Sequence, residues 1–242
     1  LNAVALRLLK SESVPYQMQN LMPGMDTHSV EDQGLEELNK LLNEKSRTLF
    51  VRKKQEVFSE GNYPYALYYI QKGKVKTYKT HPEGREFIIG LHQEGEFIGY
   101  LDLLEGGNHT ESATALEDTE LVLIKRQDFL YLLHHNWEIS QKFIKLLADN
   151  LADQEEKLLK LAYNSVRKRV AETLVQLYER FRPSEHAAAI IRMSREDLSG
   201  LIGASKETVI RTLSDFKEEK LIEINPHGIH ILNLNKLQRM RN

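Results

Sequence analysis

The run MSREDLSGLIGASKETVIRTLSDF, residues 193–216, leaves fewer conformations open than any other stretch of the chain. Ser194 followed by Asp197 is a capping-box-like pair, each side chain placed to satisfy backbone donors orphaned in a first helical turn. Leu198, Leu201 and Ile202 then form one apolar stripe at helical spacing. Gly203-Ala204 interrupts it, and glycine is the residue that takes the backbone a tight turn demands. Ser205 caps a second helix, in which Val209, Leu213 and Phe216 recur at i, i+4 and i+7 and point inward. The other face carries Lys206, Glu207, Ile210, Arg211 and Ser214. The pattern predicts a helix-turn-helix, whose second helix sets its N-terminal side chains against base edges in a major groove.

Two short helices around a glycine turn are common, so the side chains must carry the inference. Lys206 and Arg211 can donate to guanine O6 and N7, and Glu207 can accept from cytosine N4. Glu207 and Arg211 stand four residues apart, so each can hold the other in place, or the two are a solvated surface pair. Ile210 either touches a thymine methyl or packs beside the turn. Ser205-Lys206-Glu207-Thr208-Val209 with Arg211 resembles the recognition helix of the Crp/Fnr family of bacterial transcription regulators, whose members share a Ser-Arg-Glu-Thr-Val-x-Arg-like run. The departure is Lys206, where many members carry Arg. A point donor replaces a bidentate fork, which leaves the base preference at that position open. The resemblance implies that Glu207 and Arg211 read the central G·C pairs of each half-site, with Ser194, Arg195, Ser205 and Thr208 near phosphates.

At 242 residues the chain suggests about two domains. No run approaches the roughly 18 to 20 apolar residues of a membrane span, and no signal-peptide pattern is present. The chain has no Cys, which excludes disulfides, thiolate zinc sites and Cys-ligated iron–sulfur clusters, and with them the cluster sensing of the Fnr branch. A cytoplasmic location follows. The net charge of -2 looks wrong for a nucleic-acid binder until it is divided. Residues 165–242 hold 14 Lys and Arg against 10 Asp and Glu, while the remainder holds 19 against 25. The positive potential therefore lies on the segment that carries the paired helices, as counterion release requires.

The chain opens at Leu1, as a fragment or processed chain would. Leu1, Val4, Ala5, Leu8 and Leu9 make an amphipathic helix too short to stand alone. LNAVALRLLKSE resembles the last helix of a phospho-acceptor receiver domain, and equally fits a helix packing on its own domain or on a partner subunit. Residues 11–33, with Pro15, Pro23 and Gly24, read as a linker. A short helix follows at 35–42. From Thr48 to about Lys125 come short β-rich runs punctuated by glycine, including EVFSEG from 56, LYYIQKG from 67, KVKTY from 74, FIIGL from 87 and LVLI from 121. Strands of this length and spacing imply a sandwich or barrel. The succession resembles the double-stranded β-helix roll of cyclic-nucleotide-binding domains.

That resemblance breaks down at the phosphate cassette. Nucleotide-binding members carry Gly-Glu-Leu, whose Glu holds the ribose, and later an Arg before Ser-Ala that pairs with the cyclic phosphate. Here the runs are Gly99-Tyr100-Leu101 and Thr110-Glu111-Ser112-Ala113. Tyr100 replaces the Glu, and Glu111 stands where the Arg is expected. A carboxylate opposite a phosphate is repulsive, and a strong charge-assisted pair is lost. Arg85, on a nearby hairpin, is a weaker substitute. The expectation is no tight cAMP binding and no other cofactor, with the effector unnamed. The roll is either empty or holds a ligand lacking a phosphate in this position, in a pocket drawn from Ile89, Phe97, Gly99, Tyr100, Leu101, Glu111 and Ser112. His81, His92, His109, His134 and His135 lack metal or haem spacing and read as surface or loop side chains. Trp137 reads as a packing anchor where the roll meets the next helix.

From Ile139 to Leu161 the period becomes helical again. Phe143, Leu147, Leu151, Leu158 and Leu161 form a heptad-like stripe with Gln154 in the vacant seam position. A narrow stripe on a long helix pairs with a copy of itself, or packs on its own roll. Pairing would give a C2 dimer holding two recognition helices one duplex turn apart, ~34 Å. Val166 to Phe181 form the next helix, stopped near Pro183. Ile190 to Met193 read as a strand, and Leu221–Ile224 with Ile229–Ile231 around Asn225-Pro226-His227-Gly228 as a hairpin, which makes the motif winged.

The expected class is α+β. An N-terminal helix and linker (1–33) precede a β-roll effector domain (34–138), a dimerisation helix (139–164) and a winged helix-turn-helix (165–242). No Gly-rich phosphate loop, nucleophile elbow, metal-spaced His set or acid–base pair points to an enzyme. A small-ligand regulatory subunit acting on protein partners is the alternative, but it would have no use for the winged motif. The reading is a homodimeric regulator of transcription on a palindromic operator. The resemblance adds RNA polymerase as a partner and a signal sent along 139–161. An upstream receiver domain, if present, would supply that signal by phosphorylation. No membrane partner is expected.

Overall fold

The structure, a computed structural model, describes residues 47–181 and 190–241. The helices expected at 1–10 and 35–42, the linker at 11–33 and the stop at Pro183 lie outside the described residues. The chain forms two compact units, one containing residues up to Lys79 with Gly90–Asn150, the other Thr80–Ile89 with the chain from Leu151 onward.

The first unit is the roll. Its strands are β1 (Arg47–Val51), β2 (Glu56–Phe58), β3 (Ala66–Lys72), β4 (Lys74–Thr80), β5 (Glu86–Gln93, shared with the second unit), β6 (Phe97–Ile98), β7 (Ser112–Ala115) and β8 (Thr119–Lys125). They make two four-stranded sheets, ordered β1-β8-β3-β6 and β2-β7-β4-β5. Strand β3 shows why they stack. Ala66, Tyr68 and Ile70 point one way, and Leu67 and Tyr69 the other. The first set meets Val51, Phe58, Val75, Ile98, Ala113, Ala115 and Leu121, drawn from both sheets. The second set meets α1 (Tyr100–Glu105), α2 (Arg126–His135) and the start of α3 (Trp137–Tyr163) through Tyr100, Leu103, Phe129, Leu132, Ile139 and Phe143. Both faces of β3 are buried, so it lacks the polar alternation of a half-exposed strand.

In the second unit, α4 (Val166–Phe181) lays Val170, Leu174 and Leu177 into a core completed by α5 (Arg195–Ile202) and α6 (Lys206–Glu218). Strands β9 (Ile190–Ile191), β10 (Ile222–Asn225) and β11 (Gly228–Ile231) form a small sheet ordered β10-β11-β9, and α7 (Leu234–Gln238) closes the chain with Leu237 buried. Gly228 has φ 143, and a Cβ there would lie 2.6 Å from the Ile191 carbonyl oxygen, so the wing turn brings β11 against β9 only with glycine. Arg167 pairs with Glu219 and lies over the Phe216 ring.

Candidate nucleic-acid interface

The reader is built from its caps inward. Ser194 accepts a hydrogen bond from the Asp197 amide (3.0 Å) and donates to the Asp197 carboxylate (2.7 Å), so α5 starts as its capping pair predicts. Gly203 ends α5 in the left-handed region (φ 68), and its amide donates to the Ser199 carbonyl. A Cβ at this position would lie 2.8 Å from Leu161 Cδ2, the movable end of a side chain, so the positive φ more than the packing asks for glycine. Arg169 Nη1 donates to the Gly203 carbonyl at 3.3 Å and secures the turn from α4. Ser205 then caps α6 by accepting from the Thr208 amide at 3.2 Å.

Val209, Thr212, Leu213 and Phe216 fix the rotation of α6 by burial, which leaves Lys206, Glu207, Ile210, Arg211 and Ser214 exposed along the opposite face. Ile210 does not pack beside the turn; at 41% exposure it lies on the outward face. Glu207 and Arg211 form no ion pair with each other among the described residues. The pair formed is between Lys206 Nζ and Glu196 of α5. Partial burial holds the Arg195 guanidinium below its ordinary value, and it remains a cation at neutral pH. In the wing, Asn225 Oδ1 accepts from the His227 amide at 2.9 Å, and His227 is exposed at the tip.

In the roll, Glu111 is half-buried beside Tyr100, Asp102 and Thr77. Burial first, and the Asp102 charge second, push its carboxyl up to about 7, against the Thr77 hydroxyl and Lys79. Burial and then the Glu111 charge push the Tyr100 phenol up to about 12, and its oxygen accepts a hydrogen bond from Asn150 Nδ2 of α3. Asp102 is itself buried, accepting from His109 Nδ1 (2.9 Å), the Thr110 amide (3.1 Å) and the Thr110 hydroxyl (3.0 Å). Ser112 accepts from the Glu60 amide, and Gly99 lies against Phe58 and Tyr68. Leu101 is exposed, Ile89 is half-buried, and Phe97 packs with Tyr69 and Phe143 between sheet and helices. The expected pocket set is therefore split between two sides of the sheet. Arg85 pairs with Glu83 within its own hairpin.

The cyclic nucleotide-binding domain family matches residues 48–136, and the Crp-like helix-turn-helix domain family matches 168–240. The chain is 31% identical to the cyclic AMP receptor protein of Thermus thermophilus over 196 residues, 81% of this chain and 88% of that one. It is also 31% identical, over 185 residues, to the CRP-like cAMP-activated global transcriptional regulator of Mycobacterium tuberculosis, covering 76% and 83%. Among solved structures, FixK2 from Bradyrhizobium japonicum superposes with a TM-score of 0.73 at 25% identity, covering 81% of this chain and 98% of that one. The chain belongs to the Crp/Fnr family of transcriptional regulators. Such regulators bind DNA through the winged domain, and they are not enzymes.

Within this Crp/Fnr chain, the seam residues on α3 have different surroundings. Phe143 is buried in the core beneath the roll's helices, Leu147 is half-buried against that core, and Leu161 meets the Gly203 turn. Leu151 and Leu158 are 63% and 65% exposed, with Ile144 and Leu159 beside them and Gln154 half-buried. Phe143 thus leaves the expected seam, because the sheet's outer face and α2 already cover it. Trp137 is no anchor, being 66% exposed. His109 lies in the loop after α1 but is no surface side chain, being buried, bonded to Asp102 and stacked on Phe58 at 4.1 Å. Sequence reasoning also passed over Glu196 and Lys157, which donates to the Ile88 and Ile89 carbonyls. Only Glu196 had a local signal, an acid in the first turn of a helix. Lys157 depends on partners 68 and 69 residues away.

Proposed function

We propose that the chain is a homodimeric, sequence-specific transcription regulator that reads a palindromic operator and is not controlled by cAMP. The observation that carries it is the α6 face, where Glu207 and Arg211 stand exposed on a helix whose rotation is set by Val209, Leu213 and Phe216. Glu207 and Arg211 read G·C pairs, Lys206 a neighbouring base, and Ser194, Arg195, Ser205 and Thr208 hold phosphates, with Ile210 against a thymine methyl. The pairing surface is the exposed part of α3, Leu151, Gln154 and Leu158, flanked by Leu147 and Leu161. We assign 34–138 to the effector roll, 139–164 to the dimerisation helix and 165–242 to the DNA-binding domain, working in the cytoplasm with RNA polymerase as a partner. Against cAMP stands Glu111, an acid at the position where nucleotide-binding members need Arg, with Asp102 behind it.

A gel shift with a palindromic TGTGA-like duplex tests the reader. Arg211→Ala should weaken specific binding by the ~1–3 kcal/mol of one bidentate base contact. A variant as tight and as selective as the parent overturns the groove assignment. Calorimetric titration with cAMP should show no binding at micromolar concentration, and micromolar or tighter affinity overturns the effector reading.

A further inference from the structure

The cation that opens the reader helix is engaged within the chain. Lys206 is the first residue of α6, and its Nζ contacts the Glu196 carboxylate, which belongs to the first turn of α5, ten residues earlier. A lysine at a helix N-terminus faces the positive end of the dipole, so an acid brought to it from another helix relieves that contact. Ser205 and Thr208 share a hydrogen bond at 2.9 Å beside it. The edge formed by the starts of α5 and α6 therefore presents a joined Lys–Glu pair, next to Glu207 and Arg211.

From this contact we propose that Glu196 is a specificity-determining residue of the DNA reader: it aims Lys206 at one base and withholds it from the phosphate backbone. The inference rests on the groove reading above. Lysine is a compact charge on a flexible four-carbon stem, with no planar fork to set its direction. Left free, it would settle on any nearby phosphate and add affinity for every sequence alike. Tied to Glu196, it presents its remaining donors in one direction, while the carboxylate repels phosphates from the same edge. The pair thus exchanges general affinity for discrimination at one base pair.

The test measures binding of parent, Glu196→Gln, Glu196→Asp, Lys206→Met and Glu196→Gln/Lys206→Met proteins over a range of salt. The probes are an operator selected from a randomised palindromic pool, the same operator changed at each position, and a scrambled duplex. Glu196→Gln should bind the scrambled duplex several-fold tighter, with a log–log salt slope steeper by about one. Its operator-to-scrambled ratio should fall about tenfold, with the loss concentrated at one base pair. Glu196→Asp, which keeps the charge, should restore most of the ratio. In the Lys206→Met background, Glu196→Gln should no longer change selectivity. A parent that discriminates, with a Glu196→Gln variant that discriminates equally, overturns this inference alone. An equal loss of selectivity in the Lys206→Met background also overturns it, since the carboxylate would then act without the lysine. A parent that binds operator and scrambled duplex alike overturns the groove reading and this inference together. Glu196 is exposed, so these variants should fold, and unchanged thermal midpoints would verify it.

Discussion

Glu111 carries the sharpest chemical consequence of any single residue. Its carboxyl is pushed up to about 7, chiefly by burial and then by Asp102, while an unfolded glutamate titrates near 4.3. The folded state therefore holds this proton more tightly than the unfolded one. The stabilisation is complete below pH ~4.3 and is lost as pH rises through about 7. The shift corresponds to on the order of 3 kcal/mol. Glu111→Gln removes the ionisation but keeps the shape. Its stability advantage over the parent should be small at pH 5 and grow by about 2 to 3 kcal/mol by pH 8, measured by urea unfolding of both proteins. Parallel pH profiles would contradict the account of this site. The sequence shows that an acid replaces a base at this position. It does not show that Asp102, on α1, is buried and bonded to His109, where it adds to the shift.

Among the elements, α5 is positioned by a glycine that its own pattern does not require. A Cβ at Gly200 would lie 2.8 Å from the Glu86 carbonyl oxygen and 3.3 Å from Ile88, both in the Thr80–Ile89 segment of the same unit. Two effects oppose each other in Gly200→Ala. Helix propensity favours alanine by about 1 kcal/mol, and overpacking against backbone opposes it by about 1 to 3 kcal/mol. The near atom is a main-chain oxygen and not a flexible side-chain end, so overpacking should win. We expect a net loss of about 1 kcal/mol and a lower thermal midpoint; a midpoint equal to or above the parent's would show that the segment yields freely. The long elements α3, α4 and α6 were legible because their apolar positions repeat at helical spacing over at least three turns. Two of the short ones were not. Helix α1 is six residues between two left-handed glycines, Gly99 and Gly106, and β7 is Ser-Ala-Thr-Ala, whose strand character comes from pairing with β2 and β4.

At the scale of the whole molecule, the proposed assembly rests on α3. Leu151 and Leu158 lie exposed on a helix of 27 residues, and burial against a second copy would stabilise by about 1.5 to 3 kcal/mol for each leucine removed from water. Leu158→Glu should leave the fold intact, convert the protein to a monomer in sedimentation equilibrium, and weaken palindrome binding by tenfold or more. A variant that still sediments as a dimer would place the pairing surface elsewhere. No helix among the described residues is long and apolar enough to cross a membrane.

What the amino-acid order settles unaided is whatever is encoded within a few turns of chain. The capped helices around Gly203 and the wing turn at Asn225–Gly228 are of this kind, because their partners are two or three residues away. So is the outward face of α6, since apolar spacing orients a helix before anything packs on it. Tertiary structure alone decided that Phe143 is core, that Trp137 is exposed, that His109 is buried on Asp102 and that Lys206 is held by Glu196. Burial and ion pairing depend on which distant surfaces meet, and no local period records those meetings.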